Sequence, residues 1–229
     1  MSNQHTSLAH LNAGQLERVI RTESMVRAKF QNEGTGHDWF HIERVYNVAM
    51  TLGEHEGADL YVTALGALLH DIADHKFHDG DLAVGPQVAE KWLRELGEED
   101  EVIQAVSAIV KEISFKGAGV DTPMSSKAGA CVQDADRLDA IGAIGVARCF
   151  AFGGSIGQPL HDPQSKVEMH GTFEDYVNKR TSSVNHFYEK LLLLKDRMNT
   201  EAGKAMAEKR HQYMEKFLEQ FYAEWEGKS

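Results

Sequence analysis

The sequence predicts an all-α protein, and three observations carry that prediction. Apolar residues recur at three- and four-residue spacing through most of the chain, no stretch alternates with the period of two that a half-buried strand needs, and only 4 Pro interrupt 229 residues. Apolar residues make up 42% and charged residues 26%, the balance of an ordinary globule large enough to bury a sizeable core. No internal repeat is present. One domain spanning 1–229 is expected: a core over about 36–152, a loop over about 153–172 and further helices over about 173–226.

Leu16, Val19, Ile20, Val26 and Phe30 predict a first helix before the break at Gly34-Thr35-Gly36. Ile42, Val45, Tyr46, Ala49 and Leu52 predict a second, for which Asp38 is the expected N-cap, so that His41 falls in the first turn. The stretch DLYVTALGALLHDIA, from Asp59 to Ala73, is apolar nearly all round and predicts a central buried helix capped by Asp59 and ending at His70-Asp71. After the polar loop DHKFHDGDLAVG, Pro86 is expected to open a helix that runs to Leu96 and stops at Gly97. Val102, Ile103, Val106, Ile109, Val110 and Ile113 mark the next.

Beyond FKGAGVDTP, one continuous helix is expected from Ser126 through Phe152, with Gly142 and Gly145 allowing close packing against another helix. On such a helix Cys131 and Cys149 would stand about 27 Å apart, beyond disulfide reach, and they read as small buried thiols. GGSIGQPLHDPQSK is the longest loop, open to reading as a lid or a plain connection. Two amphipathic helices are expected to close the chain, one over Phe173 to Leu194 and one carrying Met206, Tyr213, Met214, Phe217, Phe221 and Trp225, whose aromatic stripe reads as core or dimer contact.

The formal net charge of −11 argues against a surface that binds duplex nucleic acid, because phosphate contacts require clustered Lys and Arg. No apolar run reaches the roughly 18 to 20 residues of a membrane span, and MSNQHTSLAH lacks the character of a signal peptide, so a cytoplasmic location is expected. A homodimer is the assembly most often formed by such chains.

Chemistry concentrates at a few positions. An ionised Asp71 beside His70 at the end of an apolar helix is destabilising unless it is paired or coordinates a cation. At a helix end both side chains can lean toward one ion, with imidazole nitrogen and carboxylate oxygen as ligands. A bland reading stands beside this one, in which the pair is simply a hydrogen-bonded helix terminus. His41 from an earlier helix and Asp136 from a later one would complete a site tying three helices together. Asp134 and Asp139 compete with Asp136, and Asp139 shares nearly the same helical face.

The order His41, then His70-Asp71, then Asp136 within DADRLDA resembles the signature of the HD-domain metal-dependent phosphohydrolase superfamily. GHDWFHIERV, LLHDIADHKFHDGD, ISFKGAG, VQDADRLDAIGAIGVAR and NHFYEKLLLLKDRMN look like the stand-alone bacterial HD-domain proteins that include nucleoside triphosphate pyrophosphohydrolases, over about Gly36 to the C-terminus. The resemblance implies a helical HD-type bundle with additional C-terminal helices. It assigns His41, His70, Asp71 and Asp136 as ligands of one divalent ion, with His37-Asp38 set aside and Asp136 preferred through the ADR element. Mn is the first choice, ahead of Fe, Co, Ni, Zn and Mg.

The implied reaction is hydrolysis of nucleoside triphosphates, deoxynucleotides included, to monophosphate and pyrophosphate. A monophosphatase or a phosphodiesterase would need the same ligands, and a nucleotide-sensing module with a structural metal is the alternative of another class. Asp74, three residues after Asp71, is the candidate proton acceptor. Arg44, Lys76, Lys116 and Arg137 are the candidate phosphate contacts, Lys116 favoured by the freedom that Gly117 and Gly119 give its loop. His75 and His78 could extend the site to a second ion.

Overall fold

The computed structural model describes residues 11–31, 38–73, 83–113, 122–167 and 181–228. Nine α-helices and one 3-10 helix occur among them, and no strand. The described residues up to Asp136 form one compact unit and those from Arg137 onward a second.

The first three helices start where short polar side chains satisfy free N–H groups of the first turn. Helix α1, Ala13–Phe30, opens on a reciprocal pair: Asn12 Oδ1 accepts from Gln15 N at 2.9 Å, and Asn12 N donates to Gln15 Oε1 at 3.1 Å. Helix α2, Trp39–Glu56, is capped by Asp38 and closed by Gly57, whose φ of 63° favours glycine. Helix α3, Leu60–Leu69, starts at Asp59, whose carboxylate accepts from Tyr61 N and Val62 N. Every residue from Tyr61 to His70 is buried, as the all-round apolar sequence requires.

Helix α3 packs against α1, α2 and the fifth helix α5, Asp100–Glu112, while α4, Val84–Glu95, lies on α5. Gly66 permits close packing: a Cβ there would come within 2.9 Å of Ile109 Cδ1. Helix α4 starts two residues earlier than expected, at Val84, and ends before Gly97, which has a φ of 73°. Polar ties reinforce the apolar core. Trp92 Nε1 donates to Thr22 Oγ1 at 3.0 Å, and Glu98 accepts from Tyr61 Oη while Arg18 Nε stands 3.5 Å from it.

The expected single helix over 126–152 is two helices. Helix α6, Lys127–Asp139, stops at a turn in which Ala140 N and Ile141 N bond back to Arg137 O and Leu138 O. Helix α7, Gly142–Ser155, begins on Gly142 at a φ of 76°. The two glycines therefore serve the break: a Cβ on Gly145 would lie 2.2 Å from Ala140 O. The 27 Å separation inferred for the cysteines falls with the continuous helix, although both remain free, Cys131 buried and Cys149 half-buried.

The helix expected over Phe173 to Leu194 also differs within its described part. Helix α8, Ser183–Glu189, ends where Lys190 takes up φ −143° and ψ −58°, and a 3-10 helix, Leu191–Arg197, follows. Leu191 and Leu194 are its buried residues, the three-residue spacing that a 3-10 helix puts on one face. The last helix, α9, Glu201–Trp225, is capped by Thr200. Its half-buried Phe217 and Phe221 pack on Phe150, and Phe217 also on the buried Phe187, with ring centroids 5.8 to 6.2 Å apart.

The described part of the long loop is tied down. Ser183 N and Val184 N donate to Pro159 O and Leu160 O, each at 3.0 Å, and Asn185 Nδ2 donates to Ser165 O at 3.3 Å. No single helix among the described residues is long and apolar enough to cross a membrane.

The two α7 glycines with opposite surroundings provide a test. Gly145→Ala should destabilise the protein by about 2 kcal/mol or more, because backbone rather than a flexible side chain blocks the new methyl. Gly154→Ala meets nothing within 4 Å and should be neutral or stabilising by up to about 1 kcal/mol. Urea unfolding of both variants checks the contrast.

Candidate metal centre

Helices α2 and α3 pack side by side, and each delivers an imidazole to the same point. His41 is the third residue of α2, held by Asp38, whose Oδ1 and main-chain oxygen accept from His41 N at 2.9 and 3.1 Å. His70 stands where α3 ends, and its Nδ1 lies 2.7 Å from the carbonyl oxygen of Ala67. A carbonyl can only accept, so Nδ1 carries hydrogen and Nε2 is the nitrogen left to ligate. Ala67 is the part of the site that sequence reasoning missed. No residue type signals it, because the acceptor is a main-chain oxygen.

The two Nε2 atoms are 3.2 Å apart, with the rings edge to face at 68°. Asp71 Oδ2 lies 3.4 Å from each Nε2, and Asp136 Oδ1 lies 3.6 Å from His41 Nε2. Exposure is graded across the cluster: the His41 and His70 side chains are 1% and 0% exposed, those of Asp71 and Asp136 17% and 37%. Imidazoles form the inner wall and carboxylates the side toward solvent.

These separations suit a single cation. Two ligand atoms each about 2.1 Å from one ion lie roughly 3.0 Å apart at a right angle and roughly 3.4 Å apart at the tetrahedral angle. The contacts of 3.2 and 3.4 Å among His41, His70 and Asp71 fall in that interval, and the 3.6 Å from Asp136 to His41 lies 0.2 Å beyond it. The donor set points the same way, since two neutral imidazole nitrogens can share only one hydrogen between them, whereas a divalent ion satisfies both together with the carboxylates. His41, His70 and Asp71 could hold a metal ion, with ligand atoms all within 4.8 Å of one another.

Without an ion, a proton takes its place. Burial, the largest influence on His70, opposes its charge, but attraction and hydrogen bonding to Asp71, the charge of Asp136 and the bond to Ala67 outweigh it and push the pKa from 6.5 up to about 9.

The other expected site residues are distributed unevenly. Arg44 is half-buried on α2, one turn beyond His41. Arg137 is buried, and its guanidinium donates to the main-chain oxygen of Arg197. Asp74, Lys76, Lys116, His75, His78 and His37 lie outside the described residues. Of the carboxylates competing with Asp136, Asp139 is buried and paired with Arg148 at 2.7 Å, and Asp134 is wholly buried.

Comparison with known proteins gives a consistent result. A family model for the HD domain matches residues 39–141. The chain is 38% identical over 210 residues to the uncharacterized protein YpgQ of Bacillus subtilis, covering 90% of this chain and 93% of that protein. Among solved structures, one from Lactobacillus plantarum superposes with a TM-score of 0.80 at 35% identity, covering 95% of this chain and 99% of the other. An HD-superfamily hydrolase from Bacillus thuringiensis gives 0.73 at 41% identity, covering 93% and 98%. YpgQ in complex with ADP gives 0.73 at 34% identity, covering 92% and 96%.

Metal uptake should be coupled to proton release. Because His70 is protonated in the metal-free protein below about pH 9, a divalent ion binding at pH 7 should displace about one proton. Affinity should rise about tenfold per pH unit and level off near pH 9. The same shift means that, without metal, His70 adds stability that is complete below pH 6.5 and lost as pH rises through about 9. Calorimetric titration in buffers of different ionisation enthalpy measures the released proton.

Proposed function

This chain belongs to the HD domain family of hydrolases, and on that premise we propose that it is a metal-dependent phosphohydrolase cleaving nucleoside triphosphates, deoxynucleotides included, to monophosphate and pyrophosphate. The observation that carries the reading is the convergence of His41, His70 and Asp71, with Asp136 beside them, into a cation-sized cluster that is closed toward the core and open toward solvent. The ADP bound to YpgQ supports a nucleotide as the ligand.

His41 and His70 bind through Nε2, and the Ala67 carbonyl keeps the His70 ring in the ligating tautomer. Asp71 and Asp136 supply the anionic ligands from the exposed side. When bound, a divalent ion, Mn as first choice with Fe, Co, Ni, Zn and Mg as alternatives, offsets charge on a phosphoryl oxygen and makes water a stronger nucleophile. Asp74 takes the proton from the attacking water, and Arg44, Lys76 and Lys116 hold the phosphates by charge-assisted hydrogen bonds. Arg137, whose buried guanidinium also donates to the main-chain oxygen of Arg197, is the fourth candidate for a phosphate contact.

The products identify the reaction. Protein reconstituted with Mn and assayed over a nucleotide panel should release pyrophosphate; orthophosphate alone would point to a phosphatase instead. Asp71→Ala should lose bound metal and more than about 100-fold of turnover, while its helical circular dichroism stays near that of the parent. Retained turnover in that variant overturns the assignment.

A further inference from the structure

Phe40 is the most exposed large apolar side chain among the described residues, at 61%. Single exposed hydrophobic residues are common on protein surfaces and need no role. The position of this one is what distinguishes it. Phe40 immediately precedes His41 in the first turn of α2, and its other neighbour, Trp39, is buried with the Arg27 guanidinium 5.7 Å from its ring. Of these consecutive aromatic residues, the first belongs to the core and the second is presented to solvent.

Consecutive helical residues are rotated by about 100°, so Arg44, four residues after Phe40 and three after His41, lies on the sector of α2 between them. Exposure rises around that sector from His41 at 1%, through half-buried Arg44, to Phe40. A ligand whose anionic end sits at the His41 nitrogen and which extends outward over α2 therefore meets a cation and then an aromatic face. Phosphate, sugar and base follow one another in that order in a nucleotide.

We propose that Phe40 is the platform on which the base of the bound nucleotide stacks, an inference that rests on the nucleotide reading of the metal centre. Stacking is tolerant of base identity, because every base has a π-face. It acts far from the bond being cleaved, so it binds ground state and transition state alike and its loss appears in KM rather than in kcat.

The test compares a nucleoside triphosphate with inorganic tripolyphosphate, which carries similar charge and no base. Phe40→Ala should raise the KM for the nucleotide about 5- to 150-fold, the range of one lost stacking contact, with kcat changed less than about twofold. The inhibition constant of tripolyphosphate against nucleotide turnover should stay within about twofold of the parent value, because the phosphate contacts are intact. Phe40→Trp should restore the nucleotide KM. An unchanged nucleotide KM, a parallel weakening of tripolyphosphate, or a KM change accompanied by a shift in oligomeric state on size exclusion overturns the proposal. If the parent protein turns over no nucleotide with any divalent ion, the nucleotide reading fails and this inference with it; parent turnover with an unaffected Phe40→Ala defeats this inference alone.

Discussion

The arrangement that the rest of the site depends on is the meeting of two imidazole nitrogens 3.2 Å apart on buried side chains. Neutral imidazoles so placed can share one hydrogen, His41 Nε2 donating to His70 Nε2, but that hydrogen does not offset the negative charge of the carboxylates of Asp71 and Asp136 beside them. A positive charge between them, proton or metal, resolves the conflict, and the Asp71 carboxylate 3.4 Å from both nitrogens compensates that charge. The raised pKa of His70 and the fit to a cation are two expressions of one electrostatic demand.

The surrounding helices hold that arrangement in place. Because α3 is apolar on every side, its last residue is delivered to the interior, and the bond from His70 Nδ1 to Ala67 O sets which nitrogen faces the cluster. The Asp38 cap fixes the first turn of α2 and with it the backbone of His41. Gly66 lets α3 approach Ile109 and Val132 closely. Main-chain geometry, rather than long flexible side chains, thus positions the buried ligands, which is the condition for a rigid site.

Much of this was legible in the sequence. Polar caps followed by apolar periodicity located the starts of α2 and α3, because a helix that begins must satisfy its first N–H groups locally. The break between α6 and α7 was less legible. Gly142 and Gly145 occupy positions that a continuous helix tolerates, and it takes the positive φ of Gly142 and the nearness of Ala140 O to Gly145 to show that both serve a break. The LLLL run before Lys195 fits α and 3-10 geometry alike, and the bend at Lys190 decides between them. At the metal centre the residue types and their order were readable, but the Ala67 carbonyl was not, since a backbone acceptor leaves no mark on residue identity.

The gradient of exposure across the cluster also decides which of its members tolerates substitution. His41 and His70 cannot be exchanged without repacking the interior, whereas Asp136, 37% exposed and carried on a different helix, can change with little effect on folding. Ligand hardness and number decide which ion a site prefers. On the proposed ligand set, Asp136 is therefore the position at which the donor atoms, and with them the preferred ion, can be changed while the helical architecture is kept.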